Sequence, residues 1–186
     1  MFCVEGALLR GPHGSGGFHR FSGGSEPMIE WVRRIAMRAR HVVAVGSCAA
    51  WGGITAAGIN PTDACGLQYD GESSGGLLGP EFLDGSGLPV INVAGCPPHP
   101  DWITETLAAL AQRRLDPALL DDLGRPRFFA DQLVHHGCPR NEYYEFKASA
   151  QKPSDQGCLM EHLGCAGTQA HGDCNQRLWN GEGSCL

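Results

Sequence analysis

His41-Val-Val-Ala-Val-Gly-Ser-Cys48 is apolar without alternation and stops at a glycine followed, two residues on, by a cysteine. A run of this length with no polar face predicts a strand buried on both sides, as in a parallel sheet. The pattern returns downstream. Leu88-Pro-Val-Ile-Asn-Val-Ala-Gly95 predicts a second buried strand, and Cys96-Pro-Pro-His-Pro follows it. Phe2-Cys-Val-Glu-Gly-Ala-Leu-Leu9 reads as a further strand opening into a loop.

Helical patterns separate the strands. Ser25-Glu-Pro-Met28 predicts a helix start, with Ser25 as the cap and Pro27 in the first turn. Met28, Val32, Ile35, Ala36 and Ala39 share one face of it. Arg33, Arg34, Arg38 and Arg40 gather toward its C-terminal end, where solvated cations suit the helix dipole. Asp101 predicts the cap of a second helix running to Arg114, with Ile103, Leu107, Leu110 and Ala111 inward. Residues 11–24 and 58–87 read as long Gly-rich connections. Strands alternating with helices predict an α/β fold around a parallel sheet. From about Phe128 the elements shorten and Gly-Cys pairs punctuate the chain, so residues 1–130 and 131–186 are expected to form separate modules.

Composition narrows the function classes. The 186 residues carry 14 basic against 20 acidic side chains, which argues against a general nucleic-acid binder with its basic face. No apolar run reaches the roughly 18 residues of a membrane helix. Nine cysteines is an odd number in a chain of this size, so a disulfide framework is the weaker expectation and metal binding the stronger.

Two groups of cysteines stand out. Cys48 and Cys96 each follow a predicted parallel strand, and ligands of open α/β sheets bind at that carboxyl edge. The second group is His135, Cys138, Cys158, Cys165 and Cys174. His135-His-Gly-Cys138 can offer one imidazole and one thiolate to the same centre, and Cys158 and Cys165 can supply two more thiolates. A glycine precedes each of Cys138, Cys158 and Cys165, which is expected to let backbone approach the sulfurs. Iron–sulfur ligation, zinc ligation and unligated thiols are all compatible with these spacings. Cys3 and Cys65 have no comparable context.

Val4-Glu-Gly-Ala, Val45-Gly-Ser-Cys-Ala-Ala-Trp-Gly-Gly, Asn92-Val-Ala-Gly-Cys-Pro-Pro-His-Pro, His135-His-Gly-Cys-Pro-Arg-Asn-Glu and the Cys158, Cys165, Cys174 series occur in that order. Together they resemble the small, electron-transferring subunit of nickel–iron hydrogenases, over essentially the whole chain. Arg10-Gly-Pro-His-Gly-Ser-Gly-Gly-Phe-His, Asn60-Pro-Thr-Asp-Ala-Cys-Gly-Leu-Gln-Tyr and Leu178-Trp-Asn-Gly-Glu-Gly-Ser-Cys resemble its hydrogen-sensing, regulatory branch. The resemblance implies a flavodoxin-like domain followed by an iron–sulfur cluster-binding segment. It implies [4Fe–4S] clusters, with [3Fe–4S] as a further form, in a chain leading from a nickel–iron site in a separate large subunit. By motif, Cys48 and Cys96 match two proximal-cluster ligands. His135, Cys138, Cys158 and Cys165 match the complete distal set, and Cys174 the first medial ligand. Glu5 matches a glutamate beside the proximal cluster, placed to hydrogen-bond around it or to relay a proton. The implied partners are the large subunit and a redox partner or sensor kinase.

The family pattern also has Cys-x-x-Cys pairs completing the proximal and medial clusters, and this chain contains no C-x-x-C. The expectation is therefore the interior of a longer subunit, a sheet lacking the family's first strand, and an incomplete C-terminal cluster segment. Cys185 matches a non-ligand position. The expected compartment is cytoplasmic, with any export signal ahead of Met1. The competing expectation is a zinc-stabilised interaction module, or a non-functional fragment, without a redox role.

Overall fold

The computed structural model describes residues 1–178. Val42, Val43 and Ala44 have no solvent exposure, as a strand covered on both faces requires. They belong to β2 (Val42–Val45), which pairs in parallel with β1 (Phe2–Glu5) on one side and with β3 (Ile91–Val93) on the other. The register sets Glu5 opposite Val45 and Val45 opposite Val93. All three strands therefore end at one level, and the segments that follow Val45 and Val93 leave from the same carboxyl edge. The fold is a mixed α/β arrangement around a parallel sheet.

Val42 and Ala44 join one core cluster with Ile29, Val32 and Ala36 of helix α1 (Met28–Ala36) and with Ala49 and Ala50 of α2 (Ser47–Trp51). The face of α1 differs from the expected one. Ile29 is buried, whereas Ile35 is 40% exposed. The start differs too: Pro27 occupies the cap position and no side chain caps the helix. The first helical N–H, that of Met28, donates instead to the His19 carbonyl at 2.8 Å.

Helix α3 (Pro100–Ala111) is capped by His99, whose Nδ1 accepts from the Asp101 N–H at 3.1 Å. Asp101 instead lies in the first turn. The buried face is Trp102, Thr106 and Leu110, offset from the expected Ile103, Leu107 and Ala111. Thr106 tolerates burial because its hydroxyl donates to the Trp102 carbonyl at 2.6 Å.

The 58–87 connection is not a surface loop. Ala64–Cys65 forms an antiparallel pair with Leu8–Leu9, and Leu67, Leu77 and Phe82 enter the core. Gln68 holds the segment from inside. Its amide donates to the carbonyls of Pro80 and Phe82 and accepts from the Val90 N–H.

The chain divides into two compact units, Met1–Pro126 and Arg127–Leu186. The second has short helical turns, at Asn141–Glu145, Met160–Leu163 and Cys174–Arg177, and little regular structure between them. No helix among the described residues is long and apolar enough to cross a membrane.

Candidate metal centre

In the first unit, the turns after β2 and β3 are tied together. The Gly46 N–H donates to the Val93 carbonyl and the Ser47 N–H to the Gly95 carbonyl, each at 2.8 Å. The Ser47 hydroxyl accepts from the Gly95 N–H at 3.2 Å. This lacing puts Cys48, in the first turn of α2, and Cys96, just past β3, on the same sheet edge. Cys48 is half-buried and Cys96 exposed. Glu5 ends β1 at that edge and is exposed. Cys3 sits within β1, not at its end. Cys65 is buried, its Sγ 3.7 Å from the Leu8 carbonyl, and burial pushes its thiol up to about 11. It packs in the core cluster of the first unit.

In the second unit, His135, Cys138, Cys158 and Cys165 line one concavity that opens to solvent. Backbone hydrogen bonds place each of them. His135 lies in a 3₁₀ turn (Val134–Gly137) and its N–H donates to the Gly167 carbonyl at 2.9 Å. The Val134 N–H donates to Ala170, so the segment after Cys165 is pinned alongside the histidine. The Cys158 N–H donates to the Ala148 carbonyl, and its own carbonyl accepts from Ala150. The turn Met160–Leu163 then reverses the chain, and the Cys165 N–H closes on the Leu159 carbonyl at 3.2 Å. The Tyr144 ring meets the His135 imidazole edge-on, centroids 4.5 Å apart.

Two sulfurs receive backbone N–H groups: Arg140 donates to Cys138 Sγ and Gly167 to Cys165 Sγ, both at 3.4 Å. Such donors stabilise negative charge on sulfur. They come from two residues after each cysteine, not from the glycines before it. Those glycines have other reasons. Gly164 ends the Met160–Leu163 turn in the left-handed conformation, Gly157 lies against the Ala150 backbone, and Gly137 lies against the Gln176 side chain.

Cys174 begins Cys174–Arg177 and is absent from the concavity lining. Asn175 fixes that turn by donating to the Val134 carbonyl at 2.6 Å. Cys185 lies outside the described residues. His136 is exposed and does not line the concavity. Sequence reasoning missed Arg140 and Tyr144, both in the lining. Arg140 stood in view directly after Cys138-Pro, but its partners lie more than a dozen residues away.

Among the described residues, no three His, Cys, Asp or Glu side chains converge where one ion could sit. A tetrahedral zinc site needs its donors within bonding reach of a single point, at about 2.0–2.3 Å. Three thiols and one imidazole lining one concavity without meeting at a single point fit a multi-atom group bound from its periphery, as an iron–sulfur cluster is.

Residues 1–110 match the family model for the NADH ubiquinone oxidoreductase 20 kDa subunit, and residues 130–186 the model for the C-terminal region of the NiFe/NiFeSe hydrogenase small subunit. The chain is 40% identical to the F420 non-reducing hydrogenase II small subunit of Methanosarcina mazei, over 97% of its own length and 48% of the relative's. It is 34% identical to the periplasmic [NiFeSe] hydrogenase small subunit of Desulfomicrobium baculatum, over 96% and 52%. It superposes on a chain of the actinobacterial-type NiFe hydrogenase of Ralstonia eutropha H16 with a TM-score of 0.83 at 32% identity, covering 98% of itself and 54% of that chain. The chain thus spans about half the length of the curated relatives it matches. Residues 1–110, more than half of the chain, place it in the family of the NADH ubiquinone oxidoreductase 20 kDa subunit, and residues 130–186 are similar to the C-terminal region of NiFe/NiFeSe hydrogenase small subunits.

Proposed function

We propose that the chain is an electron-relay part of a nickel–iron hydrogenase acting on H2 ⇌ 2H+ + 2e−, with the nickel–iron site in a separate large subunit. The observation that carries this reading is the convergence of His135, Cys138, Cys158 and Cys165 on one concavity. In this reading those four hold a [4Fe–4S] cluster, which supplies one-electron transfer when bound. The protein's part is to fix the donors and direct N–H groups at two sulfurs. The imidazole replaces one thiolate charge with a neutral ligand, which favours a higher reduction potential.

Cys48 and Cys96, laced to one sheet edge with Glu5 at the same level, support a role as half of a proximal set. Cys174, outside the concavity lining, is proposed as a ligand of a separate medial centre, with [3Fe–4S] as one form. In flavodoxin-like terms, residues 1–130 form the sheet domain and 131–186 the cluster segment. The large subunit is proposed to dock at the edge that carries Cys48 and Cys96.

The finer reading is a regulatory, hydrogen-sensing complex with a sensor kinase as partner. It rests on the motifs at 10–19, 60–69 and 178–185; the first two pack together, Arg10 pairing with Asp63 at 2.5 Å, and the third lies, after Leu178, outside the described residues. Slow turnover alongside H2-dependent transcription would support it, and fast turnover with no transcriptional effect would remove it. As to compartment, the D. baculatum relative is named periplasmic, which favours export over the cytoplasmic placement expected from sequence. Fractionation of native cells decides that point.

The main reading is tested on the full chain purified anaerobically in its native complex, by iron, sulfide and zinc analysis. Iron with matching inorganic sulfide, reduced by a joint Cys138→Ser and Cys158→Ser change, is the expected result. Colourless protein holding only zinc would establish the interaction module instead.

A further inference from the structure

We propose that Arg140 is a positioning residue for the His135–Cys138–Cys158–Cys165 site, joining two of its ligand segments and setting a fixed positive charge in its wall. The proposal rests on the reading that these four side chains hold an iron–sulfur cluster.

Arg140 touches both segments. Its backbone N–H donates to Cys138 Sγ at 3.4 Å. Its side chain reaches the turn that leads into Cys158. There Nη1 donates to the carbonyls of Asp155 at 2.8 Å and Gly157 at 2.7 Å, and Nη2 donates to the carbonyl of Pro153 at 3.1 Å. The three carbonyls belong to a turn already closed on itself, in which the Asp155 carboxylate accepts from the Lys152 N–H. Gly157 is buried against the Ala150 backbone and immediately precedes Cys158. One guanidinium therefore fixes where the chain enters Cys158, while the same residue's amide points at Cys138.

The chemistry requires arginine. A planar guanidinium presents several N–H groups in a fixed fork and can hold three carbonyls at once. Lysine brings the same charge as a single flexible point and cannot reproduce the fan. No described carboxylate forms an ion pair with Arg140, and the residue is part of the concavity wall. Among the described residues, its guanidinium is held by the carbonyls of Pro153, Asp155 and Gly157. A cation held beside three thiolates stabilises the more negative, reduced state of whatever they bind.

The test uses the full chain in its native complex, with Arg140→Gln and Arg140→Lys. Two readouts are followed: the midpoint potential of the reducible centre by EPR-monitored titration, and the rate of iron release to a chelator. In the Gln variant the potential falls and iron release accelerates at least about tenfold, since hydrogen bonds from a charged donor are lost. In the Lys variant the potential stays close to wild type while release still accelerates. An unchanged potential in the Gln variant overturns the electrostatic half of the proposal, and wild-type release in both variants overturns the positioning half. If the wild-type complex shows no iron–sulfur centre, the underlying cluster reading fails and this inference fails with it.

Discussion

Gly66→Ala is the substitution whose cost follows most directly from this structure. A Cβ at position 66 would lie 2.0 Å from the Ala50 carbonyl oxygen, 2.3 Å from its carbon and 2.6 Å from the Trp51 nitrogen. All three atoms are backbone of α2, the helix whose first turn carries Cys48. Relief requires α2 or the 65–67 segment to move by roughly 1 Å or more, given that carbon contacts are optimal near 3.5–4.0 Å. Neither is free to move. The Leu67 N–H is bonded to the Ala49 carbonyl at 2.8 Å, and the Gly66 carbonyl accepts from Leu77 at 3.0 Å. Overpacking a core costs about 1–3 kcal/mol and occasionally more. With backbone on both sides of the collision, about 3 kcal/mol is expected. For a chain of this size each kcal/mol moves the melting temperature by roughly 2–4 °C, so a fall of roughly 6–12 °C follows. The assay is thermal melting followed by circular dichroism, with Gly24→Ala as control. A Cβ at position 24 meets nothing closer than 3.6 Å, and that variant should melt like wild type. A Gly66→Ala protein that melts within about 2 °C of wild type would refute the packing described for α2.

Other consequences are open to measurement. Burial raises the Cys65 thiol from 9.0 to about 11. The unfolded chain therefore deprotonates first, and stability present below pH 9 is lost as the pH rises toward 11. At 1.36 kcal/mol per pKa unit, the loss is up to about 2.7 kcal/mol. Urea midpoints measured across that range should fall, and Cys65→Ala should remove this component of the slope; a slope unchanged in the variant contradicts the assignment. Tyr144→Ala removes the edge-on ring against His135, an interaction of about 0.5–1.5 kcal/mol. The centre should lose iron faster to a chelator, with Tyr144→Phe restoring the wild-type rate, and equal rates in all three proteins would rule out a role for the ring. Cys48→Ser and Cys96→Ser are expected to lower iron content while leaving the His135 site reducible. Loss of that site's signal in either variant would contradict the separation of the two cysteine groups.

The sheet was legible because its central strand needed cover on both faces, and Val42-Val-Ala-Val45 has no polar residue to expose. The helices were legible as helices but not in phase. On α3 an apolar count favours Ile103 and Leu107, whereas the structure buries Trp102 and Thr106. Thr106 is admitted only because the helix supplies its hydroxyl with an acceptor at 2.6 Å, a local bond that hydrophobic periodicity does not register. The 58–87 stretch misled for a related reason. Its glycines signal turns, but Gln68 satisfies three distant backbone groups and draws those turns into the core. At the candidate site, the four side chains that share one concavity are grouped by cysteine spacing and the family resemblance. Their supports were not legible. Arg140 binds carbonyls 13 to 17 residues downstream, and nothing in the sequence of a carbonyl-bearing turn announces that.

His135, Cys138, Cys158 and Cys165 are proposed to hold one iron–sulfur cluster. Pulsed EPR of the reduced native complex, prepared with ¹⁵N-labelled histidine, tests it most directly. A resolved histidine-nitrogen coupling to the cluster spin is expected, one that disappears in His135→Cys while a reducible cluster persists. A reduced cluster with no nitrogen coupling, or a coupling that survives His135→Cys, would contradict it.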